Sequence, residues 1–367
     1  MDATLYHPIF LTVASVLGFF FAFKFATSPD FRYQIERTNV IIPFILCAIL
    51  AVWLGNRPLS SEFGDTRNYA LSYENLGNTE RDFEITGWNS EWAWQLLMNI
   101  CHFLNFDVHL FFIIVEIGYV FSAFWAMKRF VPTNPLIGLL FLLTSLMFFT
   151  FGTNGLRNGL ACHLVLLAIS YFFDERWLVA SIIGLLSIGT HASVALPIVA
   201  VLVCRYAMHD YKHAVAVWLV ALALSATIGS MLSNLALMFS IDDRFSSYLT
   251  GEGMYEYKTG FRVDFIIYSL PPILLGWYII VKKGIKDEWY TTLCSAYCLC
   301  NAFWLIIIRA AYSNRFAYLS WFMYPVLIAY PLLNLPIWQD QDKRISIALT
   351  AYISFTLIME IFVWKSF

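Results

Sequence analysis

Long apolar runs separated by short polar connectors dominate the chain, and their lengths set the first expectation. A helix crossing the hydrocarbon core of a bilayer needs about 20 mostly apolar residues. Runs of that order fall near 8–26, 39–54, 108–127, 135–151, 156–173, 177–204, 213–239, 263–281, 290–308, 316–335 and 346–364. The pattern predicts an all-α polytopic membrane protein, with 1–367 as a single integral membrane domain. The run 177–204 carries Gly189-Thr190-His191 at its middle and Pro197 beyond it, so a short helical hairpin is expected there rather than one helix. With that hairpin the count comes to about 11–12 transmembrane segments.

Connector charge orients these spans. Lys24, Arg32 and Arg37 follow the first run, Lys128 and Arg129 the third, and Lys282, Lys283 and Lys286 a later one. The positive-inside rule assigns all three groups to the cytoplasm, and only a hairpin at 177–204 lets them share a side. Both termini are then external. The external arginines are Arg57, Arg67, Arg81, Arg157, Arg244, Arg262, Arg309 and Arg315, whereas the lysines are mostly internal. Guanidinium keeps its charge and grips phosphate oxygens in pairs, so such a face suits an anionic ligand.

Composition narrows the class without changing it. Hydrophobic residues make up 60% and charged residues 13% of the chain, about half the charge of a soluble domain. A net charge of −2 leaves no electrostatic reason to expect nucleic acid. The opening MDATLYH lacks a basic n-region, so the first run is expected as a retained helix. The seven cysteines lie mostly in apolar runs, and Cys294, Cys298 and Cys300 read as small core residues rather than a metal cluster.

Two external loops stand out. The first, 55–105, is polar and then amphipathic: Trp92, Leu96, Ile100, Phe103 and Leu104 recur at helical spacing, predicting an interfacial helix from about Trp88 with Asn89 or Ser90 as N-cap. The second, 240–262, is rich in Gly, Ser and Tyr and reads as a mobile lid.

Charge kept at the edge of a bilayer is usually retained for a task. Arg157 lies among two Asn-Gly pairs and opens a helix, so helix amides and a guanidinium can converge on one phosphate; the alternative is an arginine that anchors a helix end. His191 sits at the hairpin bend among small residues, as a proton-transfer group or as a hydrogen-bonded structural histidine. Asp65, Arg67 and Tyr69 follow the second run, where an aspartate can deprotonate a sugar hydroxyl or simply be solvated. Arg309 and Arg315 bracket a turn containing Tyr312 and suit a diphosphate clamp, unless one caps its helix. Arg262 has the same chemistry, or pairs with Asp264. Glu116, inside an apolar run, is expected neutral or paired with a buried arginine. No P-loop, HExxH, paired CxxC, GxSxG or external DxD-like pair is present, so neither a cofactor nor a metal is expected.

The order Asp65 and Tyr69, then GLRNGLACHLVLLAISYFF, then IGTHASVALPIVAVL, then AYSNRFAYLSWFMYPVLIAYPLL resembles the EpsG family of Wzy-type polysaccharide polymerases. The resemblance implies a GT-C-like glycosyltransferase of the bacterial inner membrane with its active site facing the periplasm. It implies transfer of a growing glycan between undecaprenyl-diphosphate-linked oligosaccharides, giving O-antigen, capsule or exopolysaccharide, with a flippase and a chain-length regulator as partners besides the bilayer. On that reading His191, Asp65 and Arg157 are catalytic; Arg157, Arg309, Arg315 and Arg262 hold diphosphate; Arg67, Tyr69 and Tyr312 hold glycan. The competing readings are an O-antigen-type ligase, a lipid-linked oligosaccharide or ion-coupled transporter, and an acyltransferase using His191.

Overall fold

A computed structural model describes residues 1–28, 40–77, 91–238, 260–310 and 313–364, without the side chains of 230–238. Among the described residues there is no strand. The first helices are α1 (Tyr6–Thr27), α2 (Ile41–Gly55), α3 (Thr66–Glu74), α4 (Trp92–Phe103) and α5 (Val108–Phe130). There follow α6 (Pro135–Leu143), α7 (Phe148–Thr153), α8 (Leu156–Phe173), α9 (Trp177–Thr190), α10 (Ala195–Tyr206) and α11 (Tyr211–Met238). The last are α12 (Val263–Gly276), α13 (Glu288–Ile306), α14 (Asn314–Trp321), α15 (Tyr324–Asn334) and α16 (Gln341–Ile358). Among the described residues, 7 helical stretches are long and apolar enough to cross a membrane, and Ile41–Gly55, Trp177–Thr190 and Ala192–Tyr206 are shorter apolar helices. The protein is an all-α polytopic membrane protein.

Two compact units emerge, Met1–Ala195 with Ile328–Phe367, and Leu196–Leu327. In the first, α5 packs between α2 and α8, α8 packs on α9, and α1 packs on α16. Gly18 makes the last pairing close, because a Cβ there would overlap the Ile353 side chain. Ser346 Oγ then donates to the Ala22 carbonyl at 2.6 Å.

The span expected at 135–151 is broken. Helix α6 ends at Leu143, residues 144–147 turn, and α7 restarts at Phe148. Backbone groups freed by a break must be satisfied inside protein when water is excluded. The Thr144 and Ser145 N–H groups donate to the Leu140 and Leu142 carbonyls at the end of α6, the Tyr119 hydroxyl adds a bond to the Phe148 carbonyl at 2.7 Å, and all residues of α6 are buried. The break expected near His191 is present: α9 stops at Thr190, His191 is extended (φ −155°, ψ 113°), and Ala192–Val194 forms a 3-10 turn before α10. Pro197 falls in the first turn of α10, where its missing N–H costs no helical bond.

In the second unit α11 packs on α13, which also meets α12 and α14. Asn301 of α13 accepts from Trp218 Nε1 (2.7 Å) and donates to Ser269 Oγ (3.1 Å) and Ser320 Oγ (3.0 Å). Trp321 Nε1 donates to the same Ser269 Oγ at 2.8 Å. These fully buried groups satisfy one another across four helices, which explains why α13 carries polar residues in an apolar interior.

Candidate functional site

The site in the first unit starts from a buried ion pair. Arg57 follows α2 and is 0% exposed; its Nη1 donates to the Leu54 carbonyl (2.7 Å) and to Glu116 Oε1 of α5 (3.0 Å). Arg57 Nε donates to Thr66 Oγ1 (3.0 Å), and that hydroxyl donates to the Thr153 carbonyl at the end of α7 (2.6 Å). Glu116 is therefore paired with a buried arginine, one of the two states expected for it. Arg57, in contrast, does not belong to an outer arginine face, because burial and three hydrogen-bond partners hold it inside. That burial lowers its pKa, and the Glu116 charge opposes the shift.

This pair seats α3. Gly64, at positive φ (56°), leaves room for the Asn154 side chain, which a Cβ would overlap. Asn154 Oδ1 then accepts from the Asp65 backbone N–H at 2.9 Å. The lock joins the start of α3 to the residues leading into α8, three positions before Arg157. One turn after Asp65, the Tyr69 hydroxyl lies 3.5 Å from Arg157 Nε, with the guanidinium 5.4 Å from the ring centroid.

Helix α4 supplies what sequence reasoning missed. It begins at Trp92, and its N-cap is Glu91, in left-handed conformation (φ 52°, ψ 40°). The Glu91 side chain does not cap its own helix; Arg157 Nη1 donates to its Oε2, and His191 Nδ1 lies 2.6 Å from its Oε1. A carboxylate can only accept, so the Nδ1 that faces it is the donor of this hydrogen bond. The Glu91 side chain is 9% exposed, and those of Arg157 and His191 are each 27% exposed. A ligand can thus reach the cation and the imidazole while the carboxylate between them stays sheltered. A strained non-glycine backbone costs on the order of 1–3 kcal/mol and persists only where its surroundings over-determine it, as two carboxylate partners do here.

Aromatic contacts fix α4 in place. Trp92 lies against Gly189 of α9, where a Cβ would overlap the indole, two residues before His191. Trp94 meets Tyr69 edge-on at 5.6 Å and Phe111 at 5.6 Å, and Tyr73 stacks on Phe111 at 4.5 Å. Leu96, Ile100 and Phe103 remain exposed, the apolar face an interfacial helix needs.

The structure thus brings Arg157, His191 and Tyr69 together around Glu91. Asp65 lies one turn before Tyr69, half-buried, its carboxylate accepting from Asn68 Nδ2 at 3.2 Å. Arg67 is exposed on α3. Arg262, Arg309 and Arg315 belong to the second unit. Arg262 forms a two-point pair with Asp264 (2.9 and 2.6 Å) and lies over Phe265. Arg309 rests beside Gly229, where α11 departs from helical geometry at Ile228 (φ −119°, ψ 22°). Arg315 is half-buried in the first turn of α14. Tyr312, the N-cap candidates Asn89 and Ser90, and most of the expected lid at 240–262 lie outside the described residues.

The signal for Glu91 was faint: an acidic residue directly before an amphipathic helix, in Ser90-Glu91-Trp92. Its partners are 66 and 100 positions away, beyond any local pattern.

A sheltered carboxylate thus joins an arginine and a histidine at the ends of helices in a multi-pass membrane protein. Residues 40–367 match the sequence model of the EpsG family, and the chain belongs to that family. No curated protein and no solved structure matches the chain. Membership supports a polysaccharide-polymerase type of function.

Proposed function

We propose that the protein joins undecaprenyl-diphosphate-linked oligosaccharide repeat units into a bacterial surface polysaccharide by inverting glycosyl transfer, without a metal, on the periplasmic side of the inner membrane. The observation that carries this reading is the Glu91 carboxylate shared by Arg157 and His191. It places a potential base and a phosphate-binding cation on two sides of one fixed group.

In the proposed step the acceptor hydroxyl gives its proton to His191 Nε2 as its oxygen bonds to the donor's anomeric carbon. The bond from that carbon to the diphosphate oxygen breaks, and its electron pair leaves with the polyprenyl diphosphate. Arg157 stabilises the charge growing on the leaving group, where a preorganised cation lowers the barrier most. His191 is preferred to Asp65 as base because its Nδ1 is anchored on Glu91 while its side chain stays partly exposed, which leaves Nε2 for the acceptor. Tyr69, Arg67 and Asp65 would contact the glycan, and Arg309 and Arg315 would be phosphate ligands of the second unit. Arg262 would join them only by exchanging Asp264 for phosphate.

The test is incubation of purified protein with its host's undecaprenyl-diphosphate repeat unit and EDTA, with products resolved on a gel. A ladder from the wild type, absent from Arg157→Ala and His191→Ala, is the expected result. A single unchanged band from folded wild type would redirect the assignment to a ligase or transporter.

A further inference from the structure

Glu91 does more than hold two side chains in place. One carboxylate cannot serve two partners fully at once: Oε2 is committed to Arg157 and Oε1 to His191, with little water to compensate at 9% exposure. A diphosphate arriving at Arg157 competes directly with Glu91 for the same guanidinium. Charge shared in a sheltered site is redistributed rather than screened.

From this juxtaposition, and resting on the function proposed above, we infer that Glu91 couples donor binding to base activation. With the site empty, Glu91 neutralises Arg157 and polarises His191 only in part. With diphosphate on Arg157, Oε2 is released, the full carboxylate faces His191 Nδ1–H, and Nε2 becomes the stronger base. The base is thereby switched on only when a leaving group is present, which disfavours idle proton uptake. Glu91 is a positioning residue in this scheme, since it acts on the substrates through Arg157 and His191. The Trp92–Gly189 contact is the support that keeps its carboxylate at the shared position.

Glu91→Gln separates coupling from simple scaffolding, because it preserves shape and removes the charge. Coupling requires two opposite changes. Affinity for inorganic diphosphate should tighten about tenfold as Arg157 loses its competitor. The turnover number should fall on the order of 10²–10⁴-fold as His191 loses the charge that polarises it. Weaker or unchanged diphosphate affinity together with lost turnover would reduce Glu91 to a strut and overturn the inference.

A measurement on wild type guards against a variant that does not fold. In 15N-histidine-labelled protein, with the His191 signal identified by its loss in His191→Asn, inorganic diphosphate should move the Nδ1 resonance. No movement at saturating diphosphate overturns the coupling. The underlying function fails separately: if Arg157→Ala extends glycan at the wild-type rate, the site assignment falls, and the coupling with it.

Discussion

At the residue scale the sheltered charges among the described residues divide into those that hold the fold and those proposed above to meet a ligand. Arg57 and Glu116 are both 0% exposed and belong to the first group. Removing one partner of such a pair strands the other charge, at a cost of about 3–5 kcal/mol. Glu116→Ala should therefore lower the thermal transition in detergent sharply, and Arg57→Met with Glu116→Leu should recover most of it. Arg157 belongs to the second group. Arg157→Ala should abolish chain extension with unchanged abundance, whereas Arg157→Lys should recover only part of the activity because a paired contact becomes a point charge. Full recovery by lysine would reduce the requirement to charge alone. Tyr73 offers a test by pH: burial raises its hydroxyl to about 12, and it donates to the Phe106 carbonyl at 2.8 Å. A group whose folded pKa is raised contributes stability that is whole below its unfolded pKa and fades as pH climbs through the folded value. The alkaline loss of stability approaching pH 12 should be shallower in Tyr73→Phe, as followed by circular dichroism. Arg157 and His191 were readable from sequence because each interrupts an apolar run. Glu91 was not, since it sits in a polar loop among other acids and only its distant partners single it out.

At the element scale the site depends on how two short helices are seated rather than on the spans themselves. Helix α3 is held by the Gly64–Asn154 lock and the Arg57–Thr66 bond, and α4 by Trp92 on Gly189 and Trp94 on Phe111. Gly189→Leu should push Trp92 away and cut polymer formation at least tenfold while leaving Glu91, Arg157 and His191 in the sequence. The Trp92→Ala, Gly189→Leu double variant should be no worse than either single variant, the mark of two residues acting through one contact. Additive losses, measured as ladder rates, would show that the contact is not what seats α4. Apolar periodicity located α4 to within a few residues, because a stripe of exposed Leu96, Ile100 and Phe103 needs no tertiary partner. It failed at 135–151, where Thr144-Ser145 is the one local mark of the turn at 144–147 and is too weak in so apolar a run to separate a break from a continuous helix.

At the scale of the whole molecule the open property is sidedness, and the native cysteines make it measurable, since all seven are buried. His191→Cys and Arg67→Cys should react with a membrane-impermeant maleimide from the periplasmic side, and Lys283→Cys only after permeabilisation. The reverse pattern would invert the orientation and move the chemistry to the cytoplasmic face. The two compact units explain why the arginines divide as they do: Arg157 is built into the first, and Arg262, Arg309 and Arg315 into the second.

Hydropathy and charge determined the class, the approximate spans and the break at His191, and particular segments such as GLRNGLACHLVLLAISYFF carried the family resemblance that the match over 40–367 bears out. These follow from local rules: a span needs a minimum apolar length, and a charge in it needs a reason. Tertiary structure decided which charges meet. It drew Arg57 out of the exposed set and onto Glu116, divided one apolar run into two buried helices, and set Glu91 between Arg157 and His191. Such choices depend on contacts between residues far apart in sequence, whose energies exist only once the helices have packed.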